Sequence, residues 1–246
     1  MIFNILNTDA YDLTTKLFLL IALPVVVVVS LSIHEYAHGL VSYGLGDPTA
    51  KNRGRLTMNP IKHLNPIGTL CMLLFGFGWA RPVPIDPRYY KKPKSGMALC
   101  GLAGPAINMI IGIRAYIWYN VAVWLAVNPV VLNSIPLIHY IPETIFVNAY
   151  IYVTQLFLIV GYYNVVLAVF NLIPIMPLDG SRLLYAFLPD KYYFGLMKYE
   201  RVIMFVMLAL LWVGIFDYFI DIVSTSIASG IEFIVFGILD VILKVL

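Results

Sequence analysis

The residues best suited to chemistry form one short stretch, His34-Glu35-Tyr36-Ala37-His38. Residues four positions apart lie on the same face of a helix, so both imidazoles can reach one metal ion while Glu35 stands beside it. Two histidine nitrogens, a carboxylate and an open position for water make up a catalytic zinc site. The spacing therefore predicts that His34 and His38 bind zinc.

The composition of the chain places this stretch in a membrane. Of 246 residues, 61% are hydrophobic and only 12% are charged. A soluble domain of this length carries roughly twice that charged fraction, so lipid must be the solvent for much of the apolar surface. The net charge of +3 requires no nucleic-acid partner. Cys71 and Cys100 form no CxxC pair and are predicted to pack as apolar residues. The first apolar run, from Leu17, leads into the polar stretch, so no cleavable signal peptide is expected.

The apolar runs predict an all-α polytopic membrane protein with about four to five transmembrane helices, since roughly 20 helical residues span the hydrocarbon core. The predicted spans cover residues 17–44, about 97–127, about 144 to the prolines at 174 and 177, and about 202–223. The tail, 231–246, is either a short span or an interfacial helix. The run from Pro66 to Trp79 is too short to span and is predicted to be re-entrant or to dip into the interface. We expect one domain, 1–246, with a catalytic core at about 13–185 and C-terminal helices at about 195–246.

The charges of the connecting regions predict the orientation of these spans. Between Asp47 and Gly96 there are nine basic residues against two acids, and the segment 180–201 adds four more basic residues. The loop 128–143 contains no Lys or Arg. The positive-inside rule therefore places the two basic regions in the cytoplasm, the loop outside, and the His34–His38 end of the first span on the cytoplasmic side.

Two histidines leave the metal one ligand short, and Asp179 is the best candidate for the third. It ends an apolar span on the same side of the membrane as His38. Asp217 and Asp221 fall toward the other end of the fourth span, whereas Asp47 and Asp86 lie in the polar loop, where a solvated role is expected. The alternative for Asp179 is that its Pro-Leu-Asp-Gly stretch only terminates a helix.

The chain resembles the site-2 protease family of intramembrane metalloproteases, and in particular its compact prokaryotic members without PDZ or CBS domains. The resemblance covers about residues 20 to 185 and rests on several motifs in family order. These motifs are His34-Glu35-Tyr36-Ala37-His38-Gly39, Arg55-Leu56-Thr57-Met58-Asn59-Pro60, Gly78-Trp79-Ala80-Arg81-Pro82-Val83-Pro84, Ala103-Gly104-Pro105-Ala106-Ile107-Asn108 and Asn171-Leu172-Ile173-Pro174-Ile175-Met176-Pro177-Leu178-Asp179-Gly180.

The resemblance implies a role for each matching residue. His34, His38 and Asp179 would bind one zinc ion per chain, and Glu35 would be the catalytic acid/base. Asn108 resembles the asparagine of a Gly-xxx-Asn motif and is our candidate for the donor to the oxyanion. Its alternative role is a hydrogen bond between membrane helices. The implied substrates are transmembrane proteins, cut in a prokaryotic cell membrane.

A transmembrane substrate must unwind before its peptide bonds can be hydrolysed, because a helix hides its carbonyl groups in hydrogen bonds. The irregular, Gly- and Pro-rich region 53–87 could line a polar cavity that admits water. The resemblance suggests short β-strands there. We expect this cytoplasmic-side segment to hold the extended substrate by strand addition.

Other polar residues have less specific interpretations. We expect His63 to be exposed among basic loop residues and His139 to lie on the outer loop. Arg114, inside the second span, either contacts a carbonyl group or extends its side chain toward the outer interface. Asn171 could hold a loop or a substrate strand.

Two other functions remain open at this point. A membrane transporter or metal carrier also has broken helices and buried polar groups. Glu35 within the motif and the lack of repeat symmetry argue against it. A non-catalytic relative that binds membrane proteins is the second alternative, and the intact ligand set argues against that.

Overall fold

In the residues that the computed structural model describes, the chain is helical and contains no strand. These residues are 11–75, 78–128, 143–189, 191–192, 195 and 198–245. The helices are α1 (Leu13–Gly44), α2 (Thr49–Asn52), α3 (Pro60–His63), α4 (Pro66–Phe75), α5 (Pro93–Val127), α6 (Glu143–Leu172), α7 (Gly180–Phe187), α8 (Glu200–Trp212) and α9 (Asp217–Val245), with a 3-10 turn at Pro87–Tyr89. The all-α prediction is confirmed. Nearly all of the predicted outer loop, with His139, lies outside the described residues.

Four helices of the described chain are long and apolar enough to cross a membrane. They are α1, α5, residues 145–172 of α6 and residues 217–244 of α9. The chain is therefore a multi-pass membrane protein, and the number of spans agrees with the prediction. The first three spans also lie where the apolar runs place them.

The predicted bounds of the fourth span are wrong. The chain breaks inside the predicted stretch of 202–223, and the tail belongs to α9. Gly214 has a φ of +79°, and the amide of Ile215 donates to Leu210 O across it, which is the pattern of a Schellman helix end. The 13 residues of α8 are about 20 Å long, too short for a core of about 30 Å. The 29-residue α9 supplies the span instead.

Helix α1 has defined ends that fix where its polar residues lie. The carboxylate of Asp12 caps its first turn by accepting from the amide of Thr15 at 3.2 Å. At the other end, Gly46 adopts a φ of +103° just after the last turn, a conformation that favours glycine. The two histidines therefore lie in the last three turns of α1.

Helix α5 is at the centre of the fold and packs against α1, α6, α7 and α9. Glycines let it approach α6 closely. A methyl group on Gly112 of α5 would lie 2.7 Å from Cγ2 of Val165, and one on Gly161 of α6 would lie 3.0 Å from the ring of Tyr116. Small residues allow such close packing between membrane helices. The close van der Waals contacts then hold the helices together, because lipid provides no hydrophobic force to do so.

Helix α1 also packs on α6, through both apolar and polar contacts. Leu23 and Val26 form a buried cluster with Ile159. One turn before the first histidine, Ser30 accepts a 2.9 Å hydrogen bond from Nδ2 of the buried Asn164. These contacts fix the rotation of α1 about its axis, and therefore the direction in which its histidines point.

Asp47 is a buried organiser of the long loop after α1, so the prediction of a solvated role is wrong. Its side chain is fully buried. Its carboxylate accepts from the amide of Asp86 at 2.8 Å, from the hydroxyl of Ser42 at 2.7 Å, and from both the amide and the hydroxyl of Thr49. Burial alone would raise the pKa of Asp47, but these hydrogen bonds outweigh it and hold the pKa below its ordinary value.

The same hydrogen-bonded chain continues to α5. The hydroxyl groups of Ser42 and Tyr90 lie 2.7 Å apart, and the Tyr90 hydroxyl lies 3.1 Å from the sulfur of Cys100. Cys100 is fully buried, and both it and Cys71 are free thiols. The end of α1, the loop and the start of α5 are thus joined through one buried polar chain.

The predicted partly β-strand segment is not seen in the described residues. Pro66–Phe75 is the helix α4, and the region contains an isolated antiparallel bridge between Leu64 and Ala80. Pro82 and Pro84 follow directly. Prolines at alternate positions remove successive amide donors from one edge, so a ladder cannot continue there.

His63 is buried, so the prediction that it is exposed is wrong. Its side chain is only 1% exposed, and its Nε2 lies 2.8 Å from the carbonyl oxygen of Thr57. Its own carbonyl oxygen accepts from the amide of Arg81 at 2.7 Å. The residue therefore ties α3 to the extended segment that follows Ala80, a tertiary role that the charge of its sequence neighbours does not reveal.

Candidate metal centre

Three buried side chains from two distant parts of the sequence meet near the C-terminal end of α1. The Nε2 atoms of His34 and His38 each lie 2.9 Å from Oδ2 of Asp179, which is 141 positions beyond His38. One ligand atom from each residue lies within 4.8 Å of the others. The two ring centroids are 4.6 Å apart, with the rings nearly perpendicular. This is the ligand set for which the sequence motifs were singled out.

Asp179 is carried to this point by a tight turn between α6 and α7. A methyl group on Gly180 would lie 2.3 Å from the carbonyl oxygen of Leu172, so the chain folds back directly on the end of α6. The second carboxylate oxygen of Asp179 lies 3.5 Å from the guanidinium of Arg182. The other oxygen, Oδ2, is the one that faces both histidine Nε2 atoms.

Gly104 of α5 leaves open the space in front of both histidines. A methyl group at this position would lie 2.4 Å from Nε2 of His34 and 2.6 Å from Nε2 of His38. Any side chain at this position would therefore collide with the two nitrogens that a metal would bind. Two imidazole nitrogens and a carboxylate oxygen that converge in this way are a donor set that fits a zinc ion.

The opposite nitrogen of each imidazole also contacts α5. Nδ1 of His38 lies 2.6 Å from the carbonyl oxygen of Cys100. Nδ1 of His34 lies 3.2 Å from Nδ2 of Asn108, which is fully buried. The structure thus places Asn108 behind the His34 ring, on the side away from Asp179, and its role as oxyanion donor stays a prediction.

Glu35 forms a hydrogen bond with the loop segment that follows α4. Its Oε2 accepts a 2.8 Å hydrogen bond from the amide of Val83. The guanidinium of Arg55 donates to the carbonyl oxygens of Arg81 and Pro82, at 2.6 and 3.3 Å, and so fixes the segment that carries this amide. Desolvation and the charge of Arg81 lower the pKa of Arg55, and the charge of Glu35 partly offsets them.

Sequence reasoning did not predict these contacts of Arg55, Val83 and Gly104 with the site. A signal was present for Val83, because it has the one amide N–H between two prolines and is therefore a fixed donor. Arg55 and Gly104 belong to the quoted motifs, but their contacts depend on how the loop and α5 pack against α1.

The remaining polar candidates lie outside the three-ligand group. Asn171 donates to Leu167 O within α6, and Asp86 pairs with Arg88 at 2.5 Å. Arg114 is exposed on α5, and Asp217 and Asp221 are on α9.

Comparison with protein families gives a clear match. The model of Peptidase family M50 matches residues 22–214, which include His34, Glu35, His38, Asn108 and Asp179. No solved structure matches the chain significantly.

Curated relatives agree with this match. "Putative zinc metalloprotease YwhC" of Bacillus subtilis (strain 168) is 40% identical over 179 residues, which are 73% of each chain. "Putative zinc metalloprotease Rip2" of Mycolicibacterium smegmatis is 27% identical over 128 residues, 44% of this chain and 49% of the relative. "Zinc metalloprotease MJ0392" of Methanocaldococcus jannaschii is 32% identical over 112 residues, 46% of this chain and 25% of the relative.

Proposed function

The chain belongs to Peptidase family M50 and is a zinc metalloprotease of the membrane, and from this premise we propose that it cleaves transmembrane segments of other membrane proteins. The observation that carries the proposal is the buried carboxylate of Asp179, shared by two histidines of a membrane-spanning helix. Ionisable groups are expensive at such a place and are found there for function. Glu35, beside the first of these histidines, supplies the acid/base that hydrolysis needs.

The proposed zinc ligands are His34, His38 and Asp179, with one ion per chain. When bound there, zinc supplies a Lewis acid and a water whose pKa is about 7. With three ligands from the chain, the ion would still be able to bind that water. Gly104 keeps this face of the histidines clear of side-chain atoms.

Glu35 is the proposed general base and then the general acid. The amide of Val83 fixes Oε2, so Oε1 is the oxygen that accepts the proton from the attacking water. The carboxyl group then passes this proton to the amine of the leaving peptide. Asn108 is the predicted donor to the oxyanion.

The proposed location is the cell membrane, with the active site toward the cytoplasm. The loop that packs against the site carries exposed basic residues, which the positive-inside rule places in the cytoplasm. They include Lys51, Arg53, Lys62, Arg81, Arg88, Lys91 and Lys92.

The proposed docking edge for the unwound substrate is the segment 81–86. Residues before proline favour extended conformations, and this holds for Arg81, Val83 and Asp86. In an extended chain the amides of Val83 and Ile85 point to the same edge, and that of Val83 already faces Glu35. A substrate strand added to this edge would lie beside the catalytic carboxylate.

Ile85→Pro tests this docking edge. Loss of a backbone donor costs about 1 kcal/mol per hydrogen bond, or more where the partner is left buried, so we expect kcat/KM to fall about tenfold, mainly through KM. Ile85→Ala keeps the amide and should cleave like the wild type. Rates are measured on a reconstituted single-span substrate. Wild-type kinetics for Ile85→Pro would remove this edge from the proposal.

Zinc per chain, measured by elemental analysis, tests the proposed ligand set. Protein purified without chelators should contain about one zinc in the wild type, and Asp179→Ala should be clearly depleted because two histidines alone hold zinc weakly. Asp221→Ala, an exposed acid on α9, is the matched control and should keep the wild-type content. Wild type without zinc would contradict the protease function. Equal zinc in the wild type and Asp179→Ala would exclude Asp179 as an essential ligand.

A further inference from the structure

We propose that Asn108 is a positioning residue for the zinc ligand His34. Its amide oxygen accepts the proton on Nδ1, which leaves the lone pair of Nε2 for the metal. The inference rests on the proposed zinc site and adds to it a determinant of zinc affinity. It assigns Asn108 a role that acts through His34 rather than on the substrate.

The surroundings of Asn108 indicate this role. The side chain is fully buried, its Nδ2 lies 3.2 Å from Nδ1 of His34, and its amide oxygen has no hydrogen-bond partner. An unpaired buried polar atom costs about 1–3 kcal/mol. The unpaired oxygen belongs to the same amide group that lies against Nδ1 of His34. Exchanging the two ends of the amide would bring this oxygen to the ring nitrogen as a hydrogen-bond acceptor.

The protonation state of a metal-bound histidine decides the direction of this hydrogen bond. A neutral imidazole that binds metal through Nε2 carries its proton on Nδ1 and needs an acceptor there. The NH2 end of an amide cannot accept, whereas the oxygen can. The two ends have nearly the same shape, so half a turn about the last side-chain bond brings the oxygen to His34 in the same space.

Nδ1 of His38 also faces α5, but its partner is a backbone carbonyl oxygen, which can only accept a hydrogen bond. Nδ1 lies 2.6 Å from the carbonyl oxygen of Cys100, so this nitrogen must carry the proton and Nε2 must face the metal site. Both imidazoles point their Nε2 atoms at the same oxygen of Asp179. The two ligands therefore need the same tautomer, and Asn108 provides for His34 what Cys100 provides for His38.

The positions of these residues along α5 support the assignment independently. Cys100, Gly104 and Asn108 are spaced four apart, so they form one stripe on the helix. Gly104, in the middle, faces both Nε2 atoms, and the two outer residues face the two Nδ1 atoms. These three residues thus form the face of α5 that packs against both imidazoles.

The test is the zinc dissociation constant, measured by chelator competition on the purified full chain in detergent. Loss of such an outer partner of a metal ligand weakens metal binding about 10- to 100-fold, and we expect this of Asn108→Leu. Asn108→Asp keeps the shape and an acceptor, so its dissociation constant should stay within about threefold of the wild type. Asn120→Leu is the control, because Asn120 is also buried on α5 but donates to Tyr116 O.

The aspartate variant keeps the proposal testable even if Asn108→Leu does not fold. A positioning role predicts that Asn108→Asp retains zinc and loses less than about tenfold in kcat. A direct donor to the oxyanion would instead lose about 100- to 1000-fold in kcat, with zinc affinity unchanged in both variants, and that result would overturn the inference but not the proposed function. A wild type that binds no zinc would overturn both.

Discussion

Replacing Glu35 by glutamine is expected to abolish cleavage while zinc stays bound. Glutamine has nearly the same shape and can still accept the hydrogen bond from the amide of Val83. It cannot accept a proton from water, and the loss of a general acid/base costs about 100- to 10,000-fold. We expect a loss of at least about a thousandfold, because the same group serves both proton transfers. Initial rates on a reconstituted transmembrane substrate, with zinc per chain on the same samples, measure both quantities.

Two controls separate this effect from a general loss of structure. Glu232→Gln changes an exposed carboxylate on α9 and should leave the rate unchanged. Zinc content equal to that of the wild type shows that His34 and His38 are undisturbed in Glu35→Gln. Cleavage by Glu35→Gln within tenfold of the wild-type rate would remove Glu35 from the general-base role.

The meeting of His38 and Asp179 could be expected from the sequence because the membrane restricts where the ends of helices can lie. The positive-inside rule predicts which side each loop faces, and it places the C-terminal ends of the first and third spans at one surface. The rule predicts the shared surface but not the distance between the two residues. The 2.9 Å contacts depend on the packing of α1, α5 and α6, which rests on glycines such as Gly112 and Gly161.

The fourth span shows that hydropathy alone does not locate a helix end inside an apolar run. Residues 202–223 and 231–246 are apolar almost throughout, so hydropathy does not locate the helix end within the first of these stretches. One backbone conformation, the positive φ of Gly214, divides α8 from α9. Glycines at other places in apolar runs, such as Gly230 and Gly237, lie inside α9 without breaking it.

Asp47 and His63 show that the composition of a loop does not reveal which of its polar residues are buried. Both lie among polar and basic loop residues, a context in which most side chains are solvated. Asp47 is buried because hydrogen-bond donors satisfy its carboxylate, one of them the amide of Asp86, 39 residues away, whereas His63 is buried with its Nε2 against the carbonyl oxygen of Thr57. Composition can predict that a loop is polar, but the pairing that makes one acid a buried anchor appears only with the fold.

Gly104→Ala is expected to remove zinc and activity together, although it adds only one methyl group. That methyl would lie 2.4 and 2.5 Å from two atoms of the His34 ring and 2.6 Å from Nε2 of His38, distances that real side chains do not tolerate. If the rings move away from the methyl, they also lose the contacts that Cys100 and Asn108 of the same helix make with their Nδ1 atoms. The methyl would also fill the space in front of both ligand nitrogens.

We therefore expect Gly104→Ala to bind zinc at least about 100-fold more weakly than the wild type, in line with the loss of ligand geometry at a metal site. Chelator competition measures the affinity, and the melting temperature in detergent reports on packing. Gly112→Ala is the matched control, since its methyl would lie 2.7 Å from Val165 on the same helix but touches no ligand. It should lower the melting temperature and keep zinc. If Gly104→Ala bound zinc as tightly as the wild type, the close approach of α5 to the two histidines would not be required for the site.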